Sequence, residues 1–147
     1  TAAVLTFGEE AVCSCNLGDS RIYQISQERQ MQQLSLDHVL GSSRFAKPPL
    51  TQYLGISEEN MGLEPTIVSK KAEIGTRYLI CSDGITDMLS DGEIADILSR
   101  ESSVAETVET LVERALIKGG RDNITVILCE LVEQEKSWFG KLLNYFL

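Results

Sequence analysis

The stretch YLICSDGITDMLSDGEI, residues 78–94, changes character at its sixth residue. Tyr78 to Ser82 is a short, mostly apolar run that predicts a buried strand, and Asp83-Gly84 follows it directly. A carboxylate at the end of a buried strand is either part of a turn or a ligand that awaits a cation. From Ile85 onward the apolar spacing becomes helical, so the stretch predicts a strand that ends at a polar site and continues into helices.

The residues that follow predict helices and one last strand. ITDML (85–89) predicts a short helical turn, and SDGEIADILSR (90–100) a helix with Ser90 or Asp91 as its N-cap. SVAETVETLVERALIKGG (103–120) predicts a longer helix that Gly119-Gly120 end, and NITVILCELV (123–132) predicts a strand. The apolar stripe predicted for the longer helix is Val104, Val108, Leu111, Val112, Ala115 and Leu116.

The residues before Tyr78 predict antiparallel strands. TAAVLTF (1–7), AVCSCNL (11–17) and RIYQIS (21–26) form a meander, and LEPTIVSKKAEI (63–74) adds a strand. In the second strand, Ala11, Cys13, Cys15 and Leu17 are predicted to share the core face. Residues 39–62 predict an exposed loop with one short helix near Gln52–Leu54. The order predicts an α+β fold, an antiparallel β-sandwich flanked by helices.

Composition narrows the functional classes. The chain has 147 residues, 43% of them hydrophobic, and a formal net charge of −9. This length indicates one domain, and the acidic balance argues against nucleic-acid binding and against docking on anionic membranes. The four cysteines lie in apolar, strand-like surroundings and are predicted to be buried and reduced. With no leader and no long apolar span in the sequence, we expect a cytoplasmic location.

Two aspartates lie at the ends of predicted strands. Asp83 follows the strand RYLIC, and Asp122 precedes the strand NITVILCEL. If these strands are antiparallel neighbours, both carboxylates meet at one sheet edge, where a divalent cation such as Mg²⁺ or Mn²⁺ offsets their repulsion. Each aspartate taken singly can equally be a turn residue. Asp37, in LSLDH, is a weaker candidate, and the adjacent His38 is either a general acid or a structural histidine.

Three other chemistries are weighed against this one. Cys15 to Arg21 fits the Cys-x₅-Arg pattern of cysteine phosphatases, but that loop needs a following helix, whereas the residues after Arg21 alternate as a strand. Ser20 lacks the Gly-x-Ser-x-Gly context of a serine hydrolase. Cys13 and Cys15 could bind zinc together, but no second ligand pair follows them.

Five motifs occur in one order: NLGDSRIY, LSLDH, YLGI, LICSDGITDML and GGRDNITVIL. In this order and spacing, residues 1–132 resemble the PPM/PP2C-type Ser/Thr protein phosphatases of bacteria. The resemblance implies an α/β/β/α sandwich. It also implies hydrolysis of phosphoserine and phosphothreonine in phosphoprotein substrates, in which two Mn²⁺ or Mg²⁺ ions activate a water.

The resemblance also assigns residues. Asp83 and Asp122 match metal ligands, and Asp37 matches an aspartate that shares a further metal with Asp83. Gly18, Asp19 and Arg21 match a turn that is mostly structural in the family, and residues 39–62 match the flap beside its active site. No residue of this chain matches a further catalytic group.

The family's N-terminal part, with its phosphate-binding arginine and metal-bridging aspartate, has no counterpart in these residues. We therefore expect the chain to correspond to the C-terminal portion of such a domain and to be inactive alone. The alternative is a non-catalytic, phosphatase-like interaction or regulatory module. Residues 133–147 predict an amphipathic tail, and self-association is expected through this tail or an exposed sheet edge.

Overall fold

The computed structural model describes residues 1–41, 47–56, 62–100 and 102–133, in which seven strands and three helices follow one another. The strands are β1 (Ala2–Phe7), β2 (Ala11–Leu17), β3 (Arg21–Ile25), β4 (Met31–Gln33), β5 (Thr66–Lys71), β6 (Arg77–Cys81) and β7 (Val126–Glu130). The helices are α1 (Asp83–Thr86), α2 (Asp91–Leu98) and α3 (Val104–Ile117). The predicted tail lies almost wholly outside the described residues, which end at Glu133.

The strands form two antiparallel sheets. One has the order β1-β2-β5 and the other the order β4-β3-β6-β7. In the second sheet, Arg21 of β3 pairs with Cys81 of β6, and Cys81 pairs in turn with Val126 of β7. The start of β3, the end of β6 and the start of β7 therefore lie side by side at one end of the four-stranded sheet.

Two apolar clusters lie on opposite faces of this four-stranded sheet. One fills the space between the two sheets around Val12, Ile22, Leu34 and Tyr78. The other lies between the four-stranded sheet and the helices, and it contains Tyr23, Leu79, Ile94 and Leu111 among others. The described residues thus form a sandwich of three layers, in which sheet packs on sheet and helices cover the far face. This agrees with the predicted α+β class, and these residues supply three of the four predicted layers.

Capping fixes where the two longer helices begin. Ser90 caps α2 by accepting from the backbone N–H of Glu93, whose side chain accepts in return from the backbone N–H of Ser90. Ser103 and Glu106 form the same reciprocal pair at the start of α3. Such capping boxes satisfy N–H groups that have no partner inside the helix. The longest described helix has 14 residues. Among the described helices, none combines the length and the apolar character needed to cross a membrane.

Some predicted details are wrong. In β2 the buried side chains are Val12, Ser14, Asn16 and Leu17, whereas Cys13 and Cys15 are only partly buried. The polar members of this face are tolerated because Ser14 donates to the carbonyl oxygen of Val68 and Asn16 bonds both backbone groups of Leu36.

The helix expected near Gln52–Leu54 and one member of the apolar stripe expected for α3 are also wrong. Residues 52–54 form a bend and the start of a turn rather than a helix, and the amide of the buried Gln52 bonds the backbone at Gly62 and Glu64. In α3, Leu116 is 57% exposed. The buried position in the first turns is Thr107, whose hydroxyl donates to the carbonyl oxygen of Ser103.

Candidate metal site at one end of the four-stranded sheet

The segment after β6 and the segment before β7 are joined by hydrogen bonds. The backbone N–H of Ser82 donates to the carbonyl oxygen of Thr125 (3.0 Å), and the backbone N–H of Thr125 donates to Oγ of Ser82 (3.0 Å). Oγ of Ser82 also donates to the carbonyl oxygen of Asn123 (3.1 Å). These bonds extend the pairing of β6 and β7 beyond the sheet, and they hold Asp83 and Asp122 on adjoining stretches of backbone.

Gly84 allows the two segments to approach this closely. A Cβ atom built on Gly84 would overlap the carbonyl oxygen of Asn123 and crowd the side chain of Ile124. The absence of a side chain at this position is therefore a packing requirement. It gives a physical reason for the Asp-Gly pair after β6.

Asp122 reaches this place because α3 ends sharply. Gly119 and Gly120 both have positive φ, +130° and +51°. The backbone N–H of Gly120 donates to the carbonyl oxygen of Ala115 (3.1 Å). A helix end of this kind reverses the chain, as the Gly-Gly pair predicts. Residues 121–125 can therefore return alongside the end of β6.

Three carboxylates surround one ammonium group at this end of the sheet. Nζ of Lys47 forms a close ion pair with Asp83, and it lies 3.6 Å from Oδ2 of Asp122 and 3.8 Å from Oδ2 of Asp87. Asp87 follows α1, and its backbone N–H bonds the carbonyl oxygen of Asp83 (2.7 Å). The side chain of Asp83 is 24% exposed and that of Asp122 is 52% exposed. The group is thus half-open to solvent. We call Asp83, Asp87 and Asp122 the carboxylate cluster.

The donor atoms and the exposure of the carboxylate cluster are those that a hard divalent cation requires. Its donors are carboxylate oxygens, which Mg²⁺ and Mn²⁺ prefer, and its partial exposure leaves room for the waters that these ions retain. The three carboxylates already surround a positive charge, the ammonium group of Lys47, which offsets their mutual repulsion as a bound cation would. Within the described residues, however, no three His, Cys, Asp or Glu side chains are already arranged as a complete set of metal ligands. The residues therefore fit part of a cation site.

Asp37 lies in a different group. Its carboxylate accepts from Nε of Arg21 (2.9 Å to each oxygen), from Nη2 of Arg21 (2.6 Å) and from the amide of Gln33 (3.1 Å). Arg21 also donates to Asp91 (3.0 Å) and to the hydroxyl of Tyr23 (3.1 Å). The hydrogen bond to Asp37 raises the pKa of Arg21 above its ordinary value. Asp37 thus pairs with Arg21 and forms no ion pair with Lys47, and its assignment as a metal ligand stays a prediction.

The Gly18–Arg21 turn has the contacts of a structural element. Gly18 has a φ of +105°, and its backbone N–H donates to Nδ1 of His38 (3.0 Å). Nε2 of His38 lies 3.1 Å from the hydroxyl of Thr66. His38 is 8% exposed, and it ties this turn to β5, as expected for a structural histidine. Asp19 follows Gly18 at the same end of the sheet as Asp83, since Arg21 pairs with Cys81.

The cysteine chemistry finds no support. Cys15 lies in the middle of β2, where it pairs with Val4 and Ile67. Arg21 opens a strand rather than a helix, and its guanidinium is taken up by carboxylates. A thiolate-based phosphate loop needs a helix N-terminus and a free arginine. All four cysteines are free, and burial raises the pKa of the Cys81 thiol to about 12, which makes it unreactive.

Two members of the site were not predicted from the sequence, Lys47 and Asp87. Asp87 lies four residues after Asp83, the spacing that places two side chains on one face of a helical turn, so it could have been found. Lys47 belongs to a stretch without hydrophobic period, 36 residues before Asp83. No local pattern points from one to the other.

Comparison with known proteins finds relatives among bacterial Ser/Thr protein phosphatases. The chain is 33% identical over 149 residues to the protein phosphatase PhpP of Streptococcus pneumoniae, with 92% of this chain and 59% of PhpP covered. It is 30% identical over 145 residues to the Ser/Thr protein phosphatase PstP of Mycobacterium tuberculosis, with 92% of this chain and 28% of PstP covered. These relatives are Ser/Thr protein phosphatases, and the chain corresponds to a portion of a PPM/PP2C-type phosphatase domain.

A solved PPM/PP2C structure has the same fold. The catalytic domain of PstP, in complex with two manganese ions, aligns with a TM-score of 0.74 and 28% identity, covering 89% of this chain and 58% of that domain. The chain spans about half the length of PhpP and about a quarter of PstP. No protein-family model matches the chain.

Proposed function

We propose that Asp83 and Asp122 hold a divalent cation, Mn²⁺ or Mg²⁺, in a site that serves the hydrolysis of phosphoserine and phosphothreonine in proteins. The single observation that carries this proposal is the convergence of the two carboxylates on one cation. Hydrogen bonds between residues 82–84 and 122–125 hold them there. The manganese complex of PstP and the Ser/Thr phosphatase relatives support the same assignment.

Each part of the site has a proposed role. A bound cation would supply positive charge for a phosphoryl group and a water activated for attack on phosphorus. Asp83 and Asp122 hold and orient that cation, and Ser82 fixes both backbones. Arg21 and Asp37 support the site indirectly, because their ion pair holds the adjoining end of β3 in place. Tyr23 adds to this support by donating to Asp91 (2.8 Å).

We further propose that the 147-residue chain is inactive by itself. Two divalent cations bring four positive charges, whereas the cluster offers only three carboxylates. One of the three, Asp87, was not among the ligands expected from the sequence. The chain also covers little more than half of PhpP and of the catalytic domain of PstP. Metal binding by the chain alone should therefore be weak, and the whole protein should carry the activity.

A non-catalytic module is the second candidate. The observation that favours it is the lack, within the part of the chain that the structure describes, of three protein ligands already set for a metal. In this case Lys47 would be the permanent counter-ion of the cluster. The chain would then serve as an interaction or regulatory domain.

The assay that separates these candidates uses p-nitrophenyl phosphate with Mn²⁺, with and without EDTA, on the full-length protein. The proposal predicts turnover that EDTA abolishes and that Asp83→Asn reduces by at least about a hundredfold, because a carboxamide lacks the charge that holds the cation. The matched control is Asp96→Asn, a change on α2 outside the cluster, which should leave turnover intact. Turnover that persists in EDTA, or its absence in the full-length protein, contradicts the proposal.

We also propose that the isolated chain self-associates through its three-stranded sheet. β1 and β5 are the edges of this sheet, and Val4, Cys15 and Ile67 form a cross-strand row on its outer face. Val4 is 47% exposed and Ile67 66% exposed. Apolar faces and open edges of this kind favour association. Light scattering should show oligomers that Ile67→Lys disrupts, and a monomer at high concentration overturns this proposal.

We also propose a cytoplasmic location and a phosphoprotein substrate. The four free cysteines fit the reducing conditions of the cytoplasm. The net charge of −9 fits a protein substrate rather than a nucleic acid or an anionic membrane.

A further inference from the structure

Among the described residues, Lys47 is the only cationic side chain that forms ion pairs with the carboxylate cluster. It lies on the segment 47–56, far in sequence from Asp83, and its backbone is followed by Pro48 and Pro49. Pro49 accepts a backbone hydrogen bond from Leu40 (2.9 Å), and Val39 bridges to Leu50. The segment is therefore anchored next to Lys47, so the ammonium group is carried by ordered backbone.

The ammonium group occupies the position of a cation. It has three acidic partners, Asp83, Asp87 and Asp122, within ion-pair distance. Other lysines pair more simply, since Lys118 contacts Glu93 alone and Lys70 contacts the amide of Gln32. A single positive charge between three carboxylates relieves the repulsion that they would otherwise exert on one another.

An ammonium group and a divalent cation compete for the same oxygens. Both need the lone pairs of Asp83 and Asp122, and two like charges at this separation repel one another. A divalent cation that binds these carboxylates must therefore displace the ammonium group. The displaced side chain has an open path, because Lys47 is already 47% exposed.

We propose that Lys47 is a built-in counter-ion of the carboxylate cluster, which holds Asp83 and Asp122 together in the metal-free protein and is exchanged for the divalent cation when one binds. The exchange part of this inference rests on the proposed function, whereas the counter-ion part does not. The consequence is a competitor within the chain that lowers the affinity for the metal. It also keeps the metal-free site from opening under its own charge.

A double-mutant cycle tests the counter-ion part without metal. Lys47→Gln, Asp83→Asn and the double variant of the 147-residue chain are unfolded with urea in EDTA at low salt. Lys47→Gln should shift the unfolding equilibrium constant by roughly two- to fivefold toward the unfolded state in the presence of Asp83, and by less in the Asp83→Asn background. The coupling should shrink in high salt. Equal effects in both backgrounds overturn the counter-ion role.

Calorimetric titration with Mn²⁺ tests the exchange. Lys47→Gln should bind Mn²⁺ roughly fivefold to tenfold more tightly than the unaltered chain, since a competing positive charge is gone. The matched control is Lys118→Gln, which removes an ion pair between α3 and α2 and should leave the affinity unchanged. Equal or weaker binding by Lys47→Gln overturns the exchange.

The outcomes also separate this inference from the proposed function. If neither the unaltered chain nor Lys47→Gln binds Mn²⁺, the proposed function fails for this chain and the exchange fails with it. The counter-ion role is then decided by the urea cycle alone. If Mn²⁺ binds and Asp83→Asn abolishes binding while Lys47→Gln changes nothing, the proposed site stands and the exchange is wrong.

Discussion

The two sheets of this molecule differ in what covers them. In the four-stranded sheet, β6 is buried at four of its five positions, and apolar clusters contact both faces. In the three-stranded sheet, β5 alternates strictly between partly buried and exposed residues, and the outer face carries exposed Val4 and Ile67. The candidate site lies at the end of the covered sheet. Because side chains pack on both of its faces, this sheet can hold the end of β6 and the start of β7 side by side, with Asp83 and Asp122 close together.

Thiol reactivity gives the largest predicted contrast between the sheets. Cys81 ends β6 and is 1% exposed, and burial raises its pKa to about 12, whereas Cys13 and Cys15 of β2 are partly exposed. Since the thiolate is the reactive form, Cys81 should be alkylated by iodoacetamide at neutral pH at least about a hundredfold more slowly than the faster of the two β2 cysteines. Peptide mass spectrometry over time measures this, with urea-unfolded protein as the control. Comparable rates in the folded chain would contradict the burial of β6.

Truncation of core side chains should give the next largest contrast. Leu79→Ala removes a fully buried side chain of the four-stranded sheet and should lower the free energy of unfolding by about 2–5 kcal/mol. Its matched control on the three-stranded sheet is Ile67→Ala, which alters an exposed side chain and should cost less than about 1 kcal/mol. Urea unfolding measures both. Similar losses for the two variants would mean that the outer face of the three-stranded sheet is covered in solution.

The sequence predicts the strands well where the signal is local, but the expected meander is wrong, because β3 lies in the other sheet from β1 and β2. The bounds of β1, β2, β3, β6 and β7 follow from short apolar runs between turn residues, and the structure confirms them within a few residues. The face of β2 was predicted wrongly, because Ser14 and Asn16 are buried by hydrogen bonds to residues far along the chain. Alternation alone does not contain that information.

The candidate site divides in the same way. The sequence places Asp83 and Asp122 at strand ends, and it brings them together only on the condition that β6 and β7 are antiparallel neighbours, which the structure confirms. Lys47 could not be predicted, because its contact crosses a loop with no periodic pattern. Asp37 was assigned through resemblance to the family, and the structure shows its carboxylate held by Arg21. The assignment of Asp37 as a metal ligand therefore stays a prediction.

Two glycine-to-alanine variants test the close approach of the segments 82–84 and 122–125. Gly84→Ala places a methyl group against the carbonyl oxygen of Asn123, and we expect it to cost about 1–3 kcal/mol of unfolding free energy and to weaken Mn²⁺ binding. Gly92→Ala is the matched control, because a Cβ atom there meets no atom within 4 Å. It lies in α2 and should be neutral or stabilise the protein by up to about 1 kcal/mol. If Gly84→Ala were as stable as Gly92→Ala, the two segments could not be packed as described.

The smallest predicted effect concerns the helices that cover the four-stranded sheet. Lys118, followed by Ser90, lowers the pKa of Glu93 from 4.5 to about 2. A carboxylate whose pKa is lower in the folded state stabilises it above pH 4.5, and this contribution is lost as the pH falls toward 2. The difference in urea midpoint between the unaltered chain and Glu93→Gln should therefore shrink between pH 6 and pH 2.5.

The control for this pH effect is Glu106→Gln. Glu106 occupies the same capping position in α3, and the backbone N–H of Ser103 lowers its pKa. It is matched to Glu93 in its cap, so its variant should show the pH dependence of a capping carboxylate alone. A pH dependence for Glu93→Gln that is no larger than for Glu106→Gln would show that the pair with Lys118 contributes nothing in solution.

We propose above that the ends of β6 and β7 bring Asp83 and Asp122 together as a cation site. Paramagnetic broadening by Mn²⁺ in amide NMR spectra of the 147-residue chain tests it most directly, because the closest amides lose intensity at the lowest metal ratio. We expect the amides of residues 82–87 and 121–125 to broaden first, and we expect Asp83→Asn to remove the effect. Broadening that begins at the exposed acidic residues of α2 and α3, or that persists in Asp83→Asn, would contradict it.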